Sequence, residues 1–226
     1  MMLEILQQGG IYTPSLREME NYDAVLVLGE DLTQTAARVA LSVRQAVKGK
    51  AREMAAAQKV ADWQIAAIQN IGQRAKYPLF VTAVDTTRLA DVAALHYNAP
   101  VDDQARLGFA VANIIDNTAP AVTDLPADVK AQAEMIAQAL NGAKKPLIIS
   151  GSNPGSDALI QAAANVAWAL KDKGIDAGLT FVGAEANSFG AAMTEAQPLD
   201  KALALLADGS ADTVGGDGKR PLPPCG

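Results

Sequence analysis

The sequence predicts an α/β fold built on a mostly parallel sheet, and three observations predict it. Short apolar runs that end in glycine hand over to amphipathic stretches, and this happens twice, at Ala24 to Gly29 and at Pro146 to Gly151. Neither run alternates apolar with polar residues, so each strand is buried on both faces, which requires helices above and below the sheet. Strands that alternate with helices imply right-handed crossovers.

The elements follow in chain order. After the strand at Ala24 to Gly29 comes a polar loop, Glu30 to Thr35, and then a helix in which Val39, Val43 and Val47 recur every four residues. Met54, Ala61, Ile65, Ile68 and Gly72 continue at helical spacing and predict one long helix over 52–74. Leu79 to Val84 is a second strand. The stretch Leu89 to Pro100 reads as helix-like with His96 near its end, and Val101 to Asp116 as a helix capped by Asp102 or Asp103. Leu125-Pro126 opens another helix with proline in its first turn, and Gly142 closes it. Beyond the strand at Pro146 to Gly151 and the loop Ser152 to Asp157, Leu159, Ala163, Val166 and Leu170 mark one helical face, with Gly174 as the stop. Leu179 to Gly183 is a further strand, Leu199 to Ala207 a helix, and Thr213-Val214 the start of a last strand. The expected organisation is an α/β unit at 11–116, a linker at 117–126, a second unit at 127–214, with the two units able to share one sheet, and a tail at 215–226. That tail is too rich in glycine and proline to continue a central strand and is expected to be disordered or non-native.

Composition excludes several function classes. Of 226 residues, 50% are apolar but only 4% aromatic, and 45 are alanine, so the apolar share is mostly small side chains that let helices approach closely. The net charge is −6, and no stretch gathers the Lys/Arg stripe that phosphate neutralisation needs, so no nucleic-acid partner is expected. With one cysteine, Cys225, and one histidine, His96, the chain has no intrachain disulfide, no Cys/His metal site and no thiolate set for an iron-sulfur cluster. No segment approaches the roughly 20 apolar residues that span a bilayer, and the reading is of a soluble, cytosolic chain.

In an open parallel sheet, ligands sit beyond the carboxyl ends of the strands, so the candidate site is the pair of loops holding Gly29, Glu30 and Asp31, and Gly151, Ser152 and Asn153. Neither loop is a GxGxxG or P-loop motif, and the carboxylates of Glu30 and Asp31 oppose a phosphate. Chain turning and helix capping account for these residues more simply than a ligand does. His96 reads as a helix-end or surface residue, Cys225 as a thiol without a catalytic role, and Trp63 and Trp168 as packing or interface residues. No catalytic or metal-binding residue is assigned.

The residues assembled so far carry a resemblance. The run from Ser15 to Ala67, the stretches APVDDQARLGFAVANIIDN and AKKPLIISGSNPGS, and Ala184 to Met193 resemble the large iron-sulfur subunit of bacterial respiratory complex I, the NADH:quinone oxidoreductase. The resemblance covers about Ile11 to Val214. More distantly it extends to molybdopterin oxidoreductases of the formate dehydrogenase/DMSO reductase-like fold, which implies Rossmann-like three-layer units with a mostly parallel sheet. It implies a structural segment of a subunit whose complex uses iron-sulfur clusters, FMN, NADH and quinone, none of them held by this chain, with other hydrophilic-arm subunits as partners. The implied location is the cytoplasmic face of the bacterial inner membrane. An alternative is a molybdopterin- or nucleotide-dependent oxidoreductase segment that keeps a dinucleotide site at the two loops. The likeness stops near Ser210 to Val214, as a truncation or altered reading frame would produce. A strand cut short there would expose a sheet edge and invite self-association.

Overall fold

The computed structural model describes residues 1–194, 199–213 and 215. Its first unit, Met1–Ala186, contains one five-stranded parallel sheet. The strands are β1 (Ala24–Leu28), β2 (Leu79–Ala83), β3 (Leu95–Asn98), β4 (Pro146–Gly151) and β5 (Gly178–Val182), in the order β3-β2-β1-β4-β5. The helices of this unit are α1 (Met2–Gln8), α2 (Leu32–Thr35), α3 (Ala37–Ala57), α4 (Ile65–Gly72), α5 (Val101–Ile115), α6 (Ala127–Asn141) and α7 (Asp157–Asp172), with a 3-10 turn at Glu18–Asn21. The second unit, Asn187–Gly226, holds α8 (Ser188–Met193) and α9 (Leu199–Ala207) among its described residues.

The two faces of the sheet are sorted by the period of two along each strand. Val25 and Val27 of β1, Leu79 and Val81 of β2, and Leu147 and Ile149 of β4 form one core with Ala40, Val43, Ala46 and Val47 of α3. The alternate residues, Leu26, Leu28 and Ile148, are equally buried on the side where α5, α6 and α7 pack. Each such aliphatic side chain removed from water is worth about 1.5–3 kcal/mol before entropy is charged against it. Ala105, Ala110, Ala112, Ala162 and Ala163 are buried in α5 and α7, which pack against each other. This is the close approach that the alanine content implies.

The chain leaves β1 through α3 to reach β2 on one side, and leaves β4 through α7 to reach β5 on the other. The direction of travel reverses between β1 and β4, so the carboxyl ends of these two adjacent strands splay into a crevice. The stretch 117–126 does not divide the sheet, because β1 and β4, which lie on opposite sides of it in sequence, pair along Ala24↔Pro146 to Val27↔Ile149.

Several local expectations are corrected. The long helix over 52–74 is two helices, because Lys59 takes a left-handed φ of 60° and the amides of Lys59 and Val60 fold back onto the carbonyls of Ala56 and Ala55. His96 lies in strand β3, not in a helix, and its Nε2 accepts a hydrogen bond from the Thr87 amide at 3.3 Å. Asp102 and Asp103 do not cap α5: Pro100 holds the cap position, and Asp103 sits 3.8 Å from Arg106. Part of the polar loop, Leu32–Thr35, is helical. Thr213 is not in a strand. Val214, the tail at 216–226 and Cys225 lie outside the described residues. Among the described residues, no helix is long and apolar enough to cross a membrane.

Candidate functional site

Both candidate loops reach the β1/β4 crevice, and one side chain joins them. Gly29 leaves β1 at φ 80°, a left-handed turn that favours glycine, and a Cβ there would meet Leu159 Cδ1 at 2.5 Å. Its amide donates to the carbonyl and hydroxyl oxygens of Thr82 at 3.1 and 3.0 Å, and that hydroxyl donates to Gln104 Oε1 at 2.8 Å. This turn aims Glu30 into the crevice, where it is fully buried. The Glu30 carboxylate accepts from the Asn153 amide at 3.1 Å, from Asn153 Nδ2 at 3.2 and 3.1 Å, and from the Thr35 hydroxyl at 3.1 Å. The first loop is thus tied across the crevice to the second.

The other candidate residues have structural duties of their own. Asp31 accepts from the Thr33 amide at 3.0 Å and caps α2. Ser152 donates its amide to Val182 O at 3.0 Å and accepts from the Ala184 amide through Oγ at 3.0 Å, holding the chain that follows β5. Gly151 admits no side chain, because a Cβ would strike the Glu30 carboxylate and lie 2.5 Å from Val182 O. Thr35, from the polar loop that follows β1, and Thr82 and Gln104 are additions that the structure makes to the site; the only signal of Thr82 in the sequence is a polar residue in an otherwise apolar strand.

A cavity of about 430 Å³ remains beside this clasp, lined by Gly29, Glu30, Asp31, Asp85, Thr86 and Asn153 among others. Three carboxylates border it, so a diphosphate there would meet repulsion rather than the cationic or amide cradle that dinucleotide sites provide. The residues therefore do not fit a dinucleotide. They do not fit an iron-sulfur cluster either, since the chain has one cysteine. Among the described residues, no three His, Cys, Asp or Glu side chains cluster as metal ligands.

Burial pushes the Glu30 carboxyl above its usual value of 4.5, and the hydrogen bonds from Asn153 and Thr35 offset part of that rise. Between the usual and the raised value, the folded chain keeps a proton that the unfolded chain has lost. Stability therefore falls as pH rises through that window, by about 1.4 kcal/mol for each unit of displacement. Glu30→Gln removes the titration and keeps an acceptor for the Asn153 amide. Its melting temperature is expected to rise relative to wild type as pH increases from 4.5, and a difference independent of pH would refute the burial of this charge.

The sequence is similar to the G subunit of NADH-quinone oxidoreductase from Salmonella typhimurium, with 68% identity over 212 residues, 94% of this chain and 23% of the relative. The same subunit from Yersinia pestis is 68% identical over 214 residues, 95% of this chain and 23% of the relative. That of Escherichia coli K12 is 65% identical over 212 residues, covering 94% and 23%. The chain thus spans 23% of the length of these relatives. No family model matches it. A solved formyltransferase/hydrolase complex from Methylorubrum extorquens, in complex with methylofuran, is similar at a TM-score of 0.41 and 12% identity over 80% of this chain and 42% of that one. That likeness is too loose to carry an argument.

Proposed function

We propose, for a chain that belongs as a segment to the family of NADH-quinone oxidoreductase G subunits, that it is a scaffold of the complex that passes electrons from NADH to quinone. In this reading it carries no redox centre, and the FMN and iron-sulfur clusters are held by other parts of the assembly. Its partners are other subunits of the hydrophilic arm, at the cytoplasmic face of the bacterial inner membrane. One observation carries the reading: the crevice at the sheet's switch point, where a nucleotide would lie, is bridged by Glu30 bonded across to Asn153. A carboxylate that bonds across to the opposite loop stabilises the fold and opposes a phosphate in the same place.

The competing reading keeps a dinucleotide at the two loops, and the two readings differ in a thermal-shift series. A ligand that binds only the folded state at 100 times its dissociation constant stabilises it by about 2.7 kcal/mol. GDP, NADH and molybdopterin guanine dinucleotide are each expected to leave the melting temperature unchanged. A saturable rise with any of them removes the scaffold reading. The sequence places self-association at the edge left by a strand cut short near Thr213; Thr213 is not in a strand, so the edge that carries this part of the proposal is the outer one of β3, which has no neighbouring strand among the described residues. A sedimentation coefficient that does not change with concentration would exclude it.

A further inference from the structure

On the side of the sheet away from α5 and α7, a groove of about 410 Å³ runs between α3, α4 and the segment 73–76. Lys48, Arg52, Arg74 and Lys76 line it, against one carboxylate, Asp62. None of these four cations forms an ion pair among the described residues; Arg52 reaches only Gln45 Oε1, at 3.4 Å. Two other cations of α3 do find carboxylates. Arg44 pairs with Asp91 at 2.8 Å, and Lys50 with Glu53 at 2.6 Å. Four cations against one carboxylate around one groove run against the chain's net charge of −6.

The groove is also apolar. Ile68 is buried in its floor, while Ile65 is 64% exposed. Trp63, on the segment that joins α3 to α4, is 78% exposed and is the most exposed large apolar side chain described. Tight packing fixes these walls, because a Cβ on Gly72 of α4 would come within 2.8 Å of Ala51 Cα on α3. Trp63 is not one of the residues that line the groove, but exposed Ile65 beside two Arg residues there has the apolar and Arg content of an interface centre.

We propose that this groove docks an acidic, aliphatic-bearing segment of another polypeptide of the NADH-quinone oxidoreductase complex, an inference that rests on the scaffold reading above. Charge complementarity selects the acidic partner, since carboxylates would relieve the mutual repulsion of the four cations and fix the register of docking. The apolar surface selects a polypeptide over a small anion, which would leave Ile65 exposed. Arg44 and Lys50 each meet a carboxylate of this fold within 4 Å and, among the described residues, these four do not, so an acidic partner is what would supply their counter-charges.

The test places a photo-crosslinking residue at Gln73, on the groove wall, in the full-length subunit. The assembled complex is purified through a tag on a different subunit, irradiated, and its crosslinked peptides are sequenced. The expected product joins Gln73 to another subunit within a stretch of net negative charge. Charge reversal by Arg52→Glu with Arg74→Glu is expected to lower its yield by about tenfold, and the milder pair Arg52→Gln with Arg74→Gln, for use if reversal blocks assembly, by about threefold. A crosslink within the same subunit, one to a neutral or basic stretch, or none from the fully assembled complex overturns the proposal. Failure of the subunit to co-purify with the tagged complex is a different result: it rejects the scaffold reading, and the docking with it.

Discussion

Gly151→Ala is expected to destabilise the fold by about 3 kcal/mol, a drop of roughly 6–12 °C in melting temperature for a chain of this size. The new methyl group has two walls to meet. One is Val182 O, 2.5 Å away on β5, a backbone atom that moves only if the paired strand moves. The other is the Glu30 carboxylate, whose position is held by Asn153 and Thr35. Moving Glu30 aside breaks hydrogen bonds to a charged group, each worth about 1.5–3 kcal/mol. Moving β5 instead opens the end of the sheet. Glu30→Ala in the same chain removes one wall, so the double variant is expected to lose at least about 1 kcal/mol less than the sum of the two single losses. Additive losses would show that Glu30 does not occupy the space beside Gly151, and the bridge across the crevice would be refuted with it.

The parts of the fold legible in the sequence are those where hydrophobicity alone decides. β1, β2, β4 and β5 fall within a residue of the apolar runs that mark them, because a strand buried on both faces reads as a near-continuous apolar run rather than an alternation. β3 lacks that signature. It is a four-residue edge strand whose side chains are only partly buried, and its alanine-rich approach reads as helix. The break between α3 and α4 is invisible in the sequence for a different reason. The apolar spacing continues across it, and the left-handed residue that ends α3 is Lys59, where a sequence reading looks for glycine or asparagine. At the candidate site both loops are legible, since the turn at Gly29 and the glycine at Gly151 are local features. That Glu30 reaches Asn153, 123 positions later, depends on the β1/β4 pairing, which no local pattern encodes.

The alanine content makes its own prediction at the α5/α7 crossing. Gly108 of α5 sits where a Cβ would meet Ala162 Cβ of α7 at 2.9 Å and Leu28 Cδ1 of β1 at 3.2 Å. Three elements therefore converge on a point with room for a hydrogen atom and little more. Gly108→Ala gains about 0.8–1 kcal/mol of helix propensity and loses a similar amount to the 2.9 Å contact, so a change within about 1 kcal/mol is expected. Gly108→Leu has no such balance. Its side chain must displace α7 or force Leu28, which is 1% exposed, out of the core, and a loss of about 3 kcal/mol or more is expected. Adding Ala162→Gly removes the nearest methyl group on α7. It costs about 1 kcal/mol alone, yet in the Gly108→Leu background it is expected to restore stability, a reversal of sign that chemical denaturation would detect. If Ala162→Gly destabilises both backgrounds equally, the helices do not meet at Gly108. The close packing inferred from 45 alanines would then have to lie elsewhere in the layer.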